Sequence, residues 1–281
     1  MKKLTVLIPC YNEEKGIGAV IDNIPFETLL KLGISTEVLV VDNNSKDHTA
    51  HVARLKGARV VYEKNQGKGN ALRTGFRSVS DDTDFVVMLD GDNTYKSSEI
   101  VRMIEPLNSG FCDVVIGSRL GGRMHSGTMT KFNRLGNWLF TFLVRYFYHG
   151  NITDVCTGYF AWKREVVQEL VLHLNSSGYS IEMEMVTKMA KLGYSIYSVP
   201  ITYDYRAGES ALSPFRDGIK IINTWRTNLF WKPTKVTKAQ KKTASLTANN
   251  FVNKQHTTNV TENETPTQAT NETLKRPILA E

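Results

Sequence analysis

Short apolar runs rich in β-branched residues recur through the first half of the chain, and they limit the possible folds more than any other feature. They occupy residues 4–9, 37–42, 58–63, 84–90 and 112–118. Apolar runs that are nearly continuous indicate parallel strands covered on both faces. Candidate helices lie between them, at about 13–24, 47–56, 68–79 and 97–107. This alternation predicts an α/β fold, a doubly wound sheet with helices on both faces.

The composition divides the chain into two parts. Its 281 residues are 41% hydrophobic, enough to bury a sizeable core. After Pro233 the sequence becomes rich in Thr, Asn and Lys, and Phe251 is its single aromatic residue. Such a segment cannot bury enough apolar surface to fold alone. We therefore predict a folded part over residues 1–233 and a disordered tail over 234–281.

Cysteine usage and hydropathy predict where the protein works. Cys10, Cys112 and Cys156 are widely spaced and form no CxxC pair, which is typical of a reducing compartment. No run approaches the roughly 18 apolar residues that span a bilayer. The net charge of +7 suits anionic partners such as phosphates or acidic lipid headgroups, although a solubilising surface explains it equally well. No nucleic-acid-binding motif accompanies the charge, so we expect no nucleic-acid partner.

Polar motifs stand where the predicted strands end, and in doubly wound sheets ligands bind beyond the carboxyl ends of the strands. Asp90 and Asp92 follow the fourth run in DGDNT. Two carboxylates at positions i and i+2 of a tight loop can face one Mg²⁺ or Mn²⁺ ion, with a phosphate-bearing substrate completing the shell. DGD alone is also a common acidic turn. However, IPCYNEE, VVDNNSKDHT and NQGKGNAL follow the three preceding strands, and together these motifs predict a ligand site.

The four motifs, in this order, resemble the nucleotide-sugar domain of family 2 glycosyltransferases. That family has the GT-A fold, and its metal-binding motif is usually DxD. The resemblance continues in IGSR, DVCTGYFAWKRE and YRAGES, which are similar to the dolichyl-phosphate mannosyltransferase and polyprenyl-phosphate glycosyltransferase branch. It covers about residues 3–230. It implies a GT-A type, Rossmann-like mixed sheet, with a nucleotide-sugar half at about 1–120 and an acceptor half at about 121–233.

By this resemblance, one set of residues binds the nucleotide-sugar. Tyr11 would stack on the base, Glu13 would accept hydrogen bonds, and Lys68 would offset diphosphate charge, with Gly67 and Gly69 keeping the backbone accessible. The less specific readings are a rim aromatic for Tyr11, a turn or helix cap for Asp42, and a solvated lysine. The implied nucleotide-sugar-binding residues are Pro9, Tyr11, Asn12, Glu13, Asp42, Lys68, Asp90 and Arg206.

The implied metal ligands are Asp90 and Asp92, with Asp92 the more direct. The branch often has Gln two positions after the second Asp, where this chain has Thr94, so water is expected to replace a third protein ligand. Asp92, Asp154 and Arg119 are the implied catalytic residues. Asp154 would act as a general base on a hydroxyl acceptor, but only as an orienting group if the acceptor is an already ionised phosphate.

The acceptor phosphate is expected to contact Ser118, Arg119 and Arg134, because the planar arginine fork suits phosphate oxygens. A surface ion pair is the alternative for each arginine. The aromatic-rich segment 131–148 is expected either to lie in the lipid headgroup region, with Trp138, Phe142 and Tyr146 toward the lipid, or to pack as an ordinary helix on the sheet.

The predicted function is that of an inverting glycosyltransferase at the cytoplasmic membrane face. It would move a hexose from GDP-mannose, UDP-glucose or UDP-GlcNAc to a polyprenyl or dolichyl phosphate, using Mg²⁺ or Mn²⁺. A glycosyltransferase with a saccharide or protein hydroxyl acceptor is the first alternative, and a non-catalytic nucleotide-sugar binder is the second. Glu182 and Glu184 are read as either sugar-pocket residues or a solvated pair.

Overall fold

The protein is described here from a computed structural model, which covers residues 1–206 and 213–233. The tail over 234–281, predicted to be disordered, lies outside the described residues. So does the 207–210 part of the YRAGES motif.

Over the described ranges, a single mixed sheet of seven strands organises the chain, in the order β3-β2-β1-β4-β6-β5-β7. All neighbouring strands are parallel except β6, which is antiparallel to both β4 and β5. The strand order reverses between β1 and β4, which leaves a crevice beyond their carboxyl ends. The strands are β1 (Lys2–Cys10), β2 (Ile34–Asp42), β3 (Arg59–Tyr62), β4 (Phe85–Met88), β5 (Val114–Met124), β6 (Phe160–Lys163) and β7 (Ile196–Tyr203).

Helices cover both faces of this sheet. Strand β1 shows why, because Leu4, Val6 and Ile8 belong to one buried cluster whereas Leu7 belongs to the other. The first cluster includes residues of α1, α2, α3 and α5, and the second includes residues of α4 and α6 to α9. The helices are α1 (Glu14–Asp22), α2 (Phe26–Lys31), α3 (Thr49–Leu55), α4 (Lys68–Ser78), α5 (Ile100–Asn108), α6 (Lys131–Tyr148), α7 (Arg164–Leu170), α8 (Ile181–Leu192) and α9 (Pro214–Phe230).

Strands β6 and β7 were not predicted from the sequence, and each has a local reason. β6 has only four residues, too few for a hydrophobic period to show. β7 lies at the sheet edge, has only two buried residues, Val199 and Ile201, and contains Pro200, which an edge strand tolerates. The predicted strand over 84–90 ends at Met88, so the following residues leave the sheet as a loop. Within residues 1–206 and 213–233, no helix has the length and hydropathy needed to cross a membrane.

Candidate active site

A cavity of about 790 Å³ opens at the carboxyl ends of β1, β2 and β4; we call it the carboxyl-edge cavity. Its volume is within the range of pockets that bind small molecules and cofactors. Most of the predicted nucleotide-sugar residues line it, although their motifs are far apart in the sequence. The predicted residues among its described lining are Pro9, Tyr11, Asn12, Glu13, Lys68, Asp90, Asp92 and Arg206.

Asparagines shape the three loops that surround this cavity. Asn12, Asn44 and Asn93 have φ angles of 56°, 64° and 62°, in the left-handed region that asparagine tolerates better than most residues. They follow β1, β2 and β4 respectively. The Asn12 Oδ1 atom also accepts the Lys46 N–H at 2.8 Å, which ties the first loop to the second. The asparagines of the sequence motifs therefore fix loop geometry at the sheet edge.

Lys68 stands between two carboxylates at the base of the cavity. Its Nζ is 2.7 Å from Asp90 Oδ1 and 2.7 Å from Glu182 Oε1. Burial alone would lower the pKa of Lys68, but the two carboxylates raise it well above its ordinary value. Lys68 is therefore a fixed positive charge in the cavity. The buried Glu182 is a member of this site that sequence reasoning left undecided.

Asp92 is fully buried, and only one of its two carboxylate oxygens accepts hydrogen bonds from the described residues. Its Oδ1 accepts hydrogen bonds from the N–H of Thr94 at 3.0 Å and from Thr94 Oγ1 at 2.6 Å. Its Oδ2 receives no well-formed hydrogen bond from the described residues, although Arg206 Nη2 lies 2.7 Å away. Burial, and then the charge of Asp90, raises the pKa of Asp92. Thr94, at the position of the branch's Gln, thus orients the carboxylate.

This arrangement fits a divalent cation. A buried carboxylate oxygen without a hydrogen bond calls for a positive partner, and a guanidinium now lies beside it. In the part of the chain that the structure describes, no three His, Cys, Asp or Glu side chains form a metal-binding group. If Asp90 and Asp92 hold Mg²⁺ or Mn²⁺, as predicted, substrate or water oxygens would have to complete the shell.

Glu13 adds a further acid next to the pair. Burial, followed by the charge of Asp92, raises the pKa of Glu13 to about 8. Its Oε1 lies 3.8 Å from Arg206 Nη1, so this arginine faces two carboxyl groups. Tyr11, beside Glu13, leaves 38% of its surface exposed at the cavity rim. Acidic and aromatic groups therefore meet on one side of the cavity.

Asp42, predicted to contact the nucleoside, is not among the described residues that line the cavity. Asp42 is buried at the end of β2, and its Oδ1 accepts the Ser45 N–H at 3.2 Å, as expected for the turn alternative. The next residue, Asn43, is the one that lines the cavity. Its amide donates to the carbonyls of Glu63 and Asn65 and accepts the Gly67 N–H, which holds the third loop against the second.

Gly67 lines the cavity, as predicted for an accessible backbone, and both Gly67 and Gly69 also have a packing role. A Cβ on Gly69 would lie 2.0 Å from the Ser176 carbonyl oxygen, and one on Gly67 would lie 2.2 Å from that of Ser177. The Gly69 N–H donates to the Ser177 carbonyl at 2.9 Å. These glycines are required because the backbone of residues 176–177 packs directly on the start of α4.

Arg119 and Asp154, predicted to contact the acceptor separately, form a buried ion pair with each other. Asp154 Oδ2 accepts from the Arg119 N–H at 2.9 Å and from Nε at 2.8 Å, while Oδ1 accepts from Nη2 at 2.9 Å. Asn137 Nδ2 donates to Oδ1 as the fourth donor, at 2.7 Å. Two donor nitrogens of the Arg119 fork, Nε and Nη2, are therefore engaged within the protein, and the contact of Arg119 with an acceptor phosphate stays a prediction.

The other two predicted phosphate ligands lie apart from the carboxyl-edge cavity. Ser118 is buried, and its Oγ accepts the Gly121 N–H at 2.9 Å, so it closes a turn inside β5. Arg134 is exposed on α6. Neither Ser118 nor Arg134 is among the described residues that line the carboxyl-edge cavity.

Helix α6 has a narrow buried side and a broad exposed aromatic side. Thr130 caps its first turn, because its Oγ1 accepts the Asn133 N–H at 3.2 Å. On the exposed side, Trp138, Phe142 and Tyr146 stack one turn apart, with centroids 6.0 and 6.2 Å from each other. We call this side the aromatic face. Its members are at least 46% exposed: Phe132, Leu135, Trp138, Leu139, Phe142, Tyr146 and Phe147.

Gly158, in the DVCTGYFAWKRE motif, packs against the carboxylate of Asp90. A Cβ on this residue would lie 2.3 Å from Asp90 Oδ2, so only glycine leaves room for the carboxylate. The Gly158 N–H donates to the hydroxyl of the buried Tyr95 at 2.7 Å. Antiparallel strand β6, which begins two residues later, brings this segment beside the end of β4.

The mixed α/β sheet holds the Asp90 and Asp92 carboxylates and the positively charged side chains of Lys68 and Arg206 around one cavity at its carboxyl edge. This fold and site define a nucleotide-sugar-dependent glycosyltransferase of GT-A type. Residues 5–171 match the model of the family described as "Glycosyl transferase family 2", and the chain belongs to that family. "Glycosyltransferase AglJ" of Haloferax volcanii is 36% identical over 217 residues, which cover 76% of this chain and 67% of that protein. "Dolichyl-phosphate hexose transferase" of the same organism is 34% identical over 218 residues, covering 78% and 90% respectively.

The fold also resembles a solved structure. This is the crystal structure of glucosyl-3-phosphoglycerate synthase from Mycobacterium tuberculosis in complex with Mn²⁺, UDP-glucose and phosphoglyceric acid. It superposes with a TM-score of 0.63 at 23% identity, covering 83% of this chain and 81% of that one. The similarity confirms the predicted GT-A fold.

Proposed function

We propose that this glycosyltransferase transfers a hexose from a nucleotide-sugar to a polyprenyl or dolichyl phosphate, with inversion at the anomeric carbon. The observation that carries the proposal is the saturation of Asp154, whose carboxylate already accepts four hydrogen bonds. Because these four hydrogen bonds occupy the lone pairs of the carboxylate, no oxygen position is left to accept a proton from a hydroxyl acceptor. A phosphate acceptor is ionised at neutral pH and needs no base, whereas a hydroxyl acceptor does. A relative that is named as a dolichyl-phosphate hexose transferase supports the same acceptor class.

The donor would occupy the carboxyl-edge cavity. Pro9, Tyr11 and Asn12 border the side where we place the nucleoside, with the Tyr11 ring available for stacking on the base. Asp90 and Asp92 line the same cavity, and we place the diphosphate beside them. A cavity that has an aromatic residue at its rim and a carboxylate pair in its lining thus suits the two ends of a nucleotide-sugar.

Mg²⁺ or Mn²⁺ would be held by Asp90 and Asp92. When bound, such an ion supplies Lewis-acid stabilisation of the diphosphate leaving group. Lys68 adds a fixed positive charge beside Asp90, and Arg206 adds a second one beside Asp92. These side chains hold the diphosphate in place, and orienting the reacting groups supplies roughly 7–11 kcal/mol of the barrier in well-arranged reactions.

The aromatic face of α6 is where we place the contact with the membrane that holds a lipid acceptor. Seven large apolar side chains are exposed there, and Lys131, Arg134 and Arg145 on the same helix are exposed as well. Aromatic rings with neighbouring basic residues suit the headgroup region of an anionic bilayer. The three cysteines are free thiols, which favours the cytoplasmic face.

A transfer assay tests the proposal. The protein is incubated with Mn²⁺, a short-chain polyprenyl phosphate and radiolabelled GDP-mannose, UDP-glucose or UDP-GlcNAc in turn, and the product is extracted into organic solvent. We expect label in the organic phase with one of these donors, and its loss when EDTA is added. Label that stays in the aqueous phase with all three, while free sugars or peptides become glycosylated, would instead establish the hydroxyl-acceptor alternative.

A further inference from the structure

The buried side of α6 carries two polar residues one turn apart, Asn137 and Thr141. Asn137 is 4% exposed, and it both donates to Asp154 Oδ1 at 2.7 Å and accepts the Cys156 N–H at 3.2 Å. Thr141 Oγ1 accepts the Val155 N–H at 3.1 Å. Two side chains of one helix therefore hold three consecutive residues of the 154–156 segment.

The 154–156 segment leads directly into the active site. The carbonyl of Cys156 accepts a hydrogen bond from Arg119 Nη2 at 2.6 Å, and Gly158 follows two residues later, against the Asp90 carboxylate. A shift of this segment would move both the Arg119–Asp154 pair and the backbone that borders Asp90. The position of α6 therefore determines where the Arg119–Asp154 pair and the backbone beside Asp90 lie.

Asparagine suits position 137 because the site needs a donor and an acceptor together. Aspartate would place a second carboxylate against Asp154, and an apolar residue would leave the Cys156 N–H unpaired. The opposite side of the same helix carries the aromatic face. One rigid helix therefore connects the surface where we place the lipid with the residues around Asp154.

We propose that Asn137 is a positioning residue for the acceptor step of the reaction. It holds the Arg119–Asp154 pair and the 154–156 segment where the acceptor phosphate meets the sugar, while the donor binds through other loops. This inference rests on the proposed function for the identity of the acceptor. Its consequence is specific: loss of the Asn137 amide impairs use of the acceptor more than binding of the nucleotide.

Asn228 provides a matched control. It is also 4% exposed, it lies on the long helix α9, and its Nδ2 donates to Thr187 Oγ1 at 2.8 Å, in a region that does not line the cavity. Asn137→Ala and Asn228→Ala each remove one buried amide from a helix. Thr141→Val and Thr187→Val form a second, milder pair in which one buried hydroxyl is replaced at nearly constant volume.

The experiment compares these four variants with the wild type in three measurements. These are the free energy of unfolding in urea, the affinity for nucleoside diphosphate with Mn²⁺ by calorimetry, and kcat and KM for the acceptor. We expect Asn137→Ala to lose on the order of ten- to hundredfold in kcat/KM for the acceptor, because misplacement by even 1 Å has effects of this size. Thr141→Val should change in the same direction by less, and nucleotide affinity should stay within about threefold.

The two control variants should lose stability without this kinetic change. Equal losses in Asn137→Ala and Asn228→Ala, or a loss of nucleotide affinity as large as the loss of acceptor kcat/KM, would overturn the positioning role. A wild type that glycosylates only hydroxyl compounds would refute the proposed function instead. The same four variants, assayed with that hydroxyl acceptor, then decide the role of Asn137 separately.

Discussion

Replacing Gly158 by alanine tests how closely the segment that follows Asp154 must pack against the carboxylates of Asp90 and Asp92. The added Cβ would lie 2.3 Å from Asp90 Oδ2 and 2.7 Å from Asp90 Cγ, whereas ordinary contacts begin at 3.4 Å. The carboxylate must therefore retreat by about 1 Å, and Lys68, 2.7 Å from its other oxygen, must follow. Misplacement of orienting groups by about 1 Å reduces rates on the order of a hundredfold. We expect a loss of that size in transfer.

The assay is kcat/KM for the labelled donor with Mn²⁺, measured together with Mn²⁺ affinity and the free energy of unfolding. Gly158 does not have a left-handed φ, so alanine is not strained there by its backbone. Gly218→Ala on α9 is the control, since a Cβ at that position meets nothing within 4 Å. It should keep its rate and gain about 0.5–1 kcal/mol of stability. A Gly158→Ala enzyme within about threefold of wild type would refute the reasoning.

Three further changes test other parts of the structure. Asp92→Asn keeps the shape of the side chain but removes its charge, so Mn²⁺ affinity by titration and kcat should both fall, by about a hundredfold or more; unchanged affinity would contradict the assigned metal site. Trp138→Ser should weaken binding to anionic vesicles, measured by sedimentation, by about ten- to a hundredfold, since roughly 1.5–3 kcal/mol of apolar contact is lost, whereas Phe111→Ser, 66% exposed but outside α6, should not. Burial alone would raise the pKa of Asp113, but hydrogen bonds to it lower that pKa below the ordinary value. Its stabilising contribution, about 1 kcal/mol or less for a partly exposed group, is therefore complete above about pH 4 and is lost as the pH falls through the lowered pKa. Urea unfolding from neutral to acid pH should show a shallower decline below pH ~4 for Asp113→Asn, and parallel curves would argue against this reading.

The sequence was sufficient to predict the fold and the family because the informative residues are local to strand ends. Apolar runs predicted five strands, and parallel strands bring their carboxyl ends to one edge. Asp90, Lys68 and Glu13 therefore meet in one cavity although they come from three loops. The GT-A fold and the glycosyltransferase class are confirmed. The roles of the individual residues remain predictions.

Side-chain pairing was not predictable, because it depends on contacts between distant segments. Arg119 and Asp154 are 35 residues apart, and no pattern in either motif shows that they bond to each other. The sequence left Glu182 and Glu184 undecided between a sugar-pocket role and a solvated pair, and both are buried on α8. The sequence of α8 does indicate that these glutamates are buried. Its apolar residues are spread around the helix instead of forming one face, which is typical of a helix buried on all sides.

The four hydrogen bonds on Asp154 also affect the fate of a donor that is bound without an acceptor. Water, like a sugar hydroxyl, becomes a strong nucleophile only when a base removes its proton. Since this carboxylate has no acceptor position left, we expect a waiting nucleotide-sugar to be consumed slowly by the solvent around it. With the proposed lipid acceptor, little activated sugar would then be lost to water before transfer.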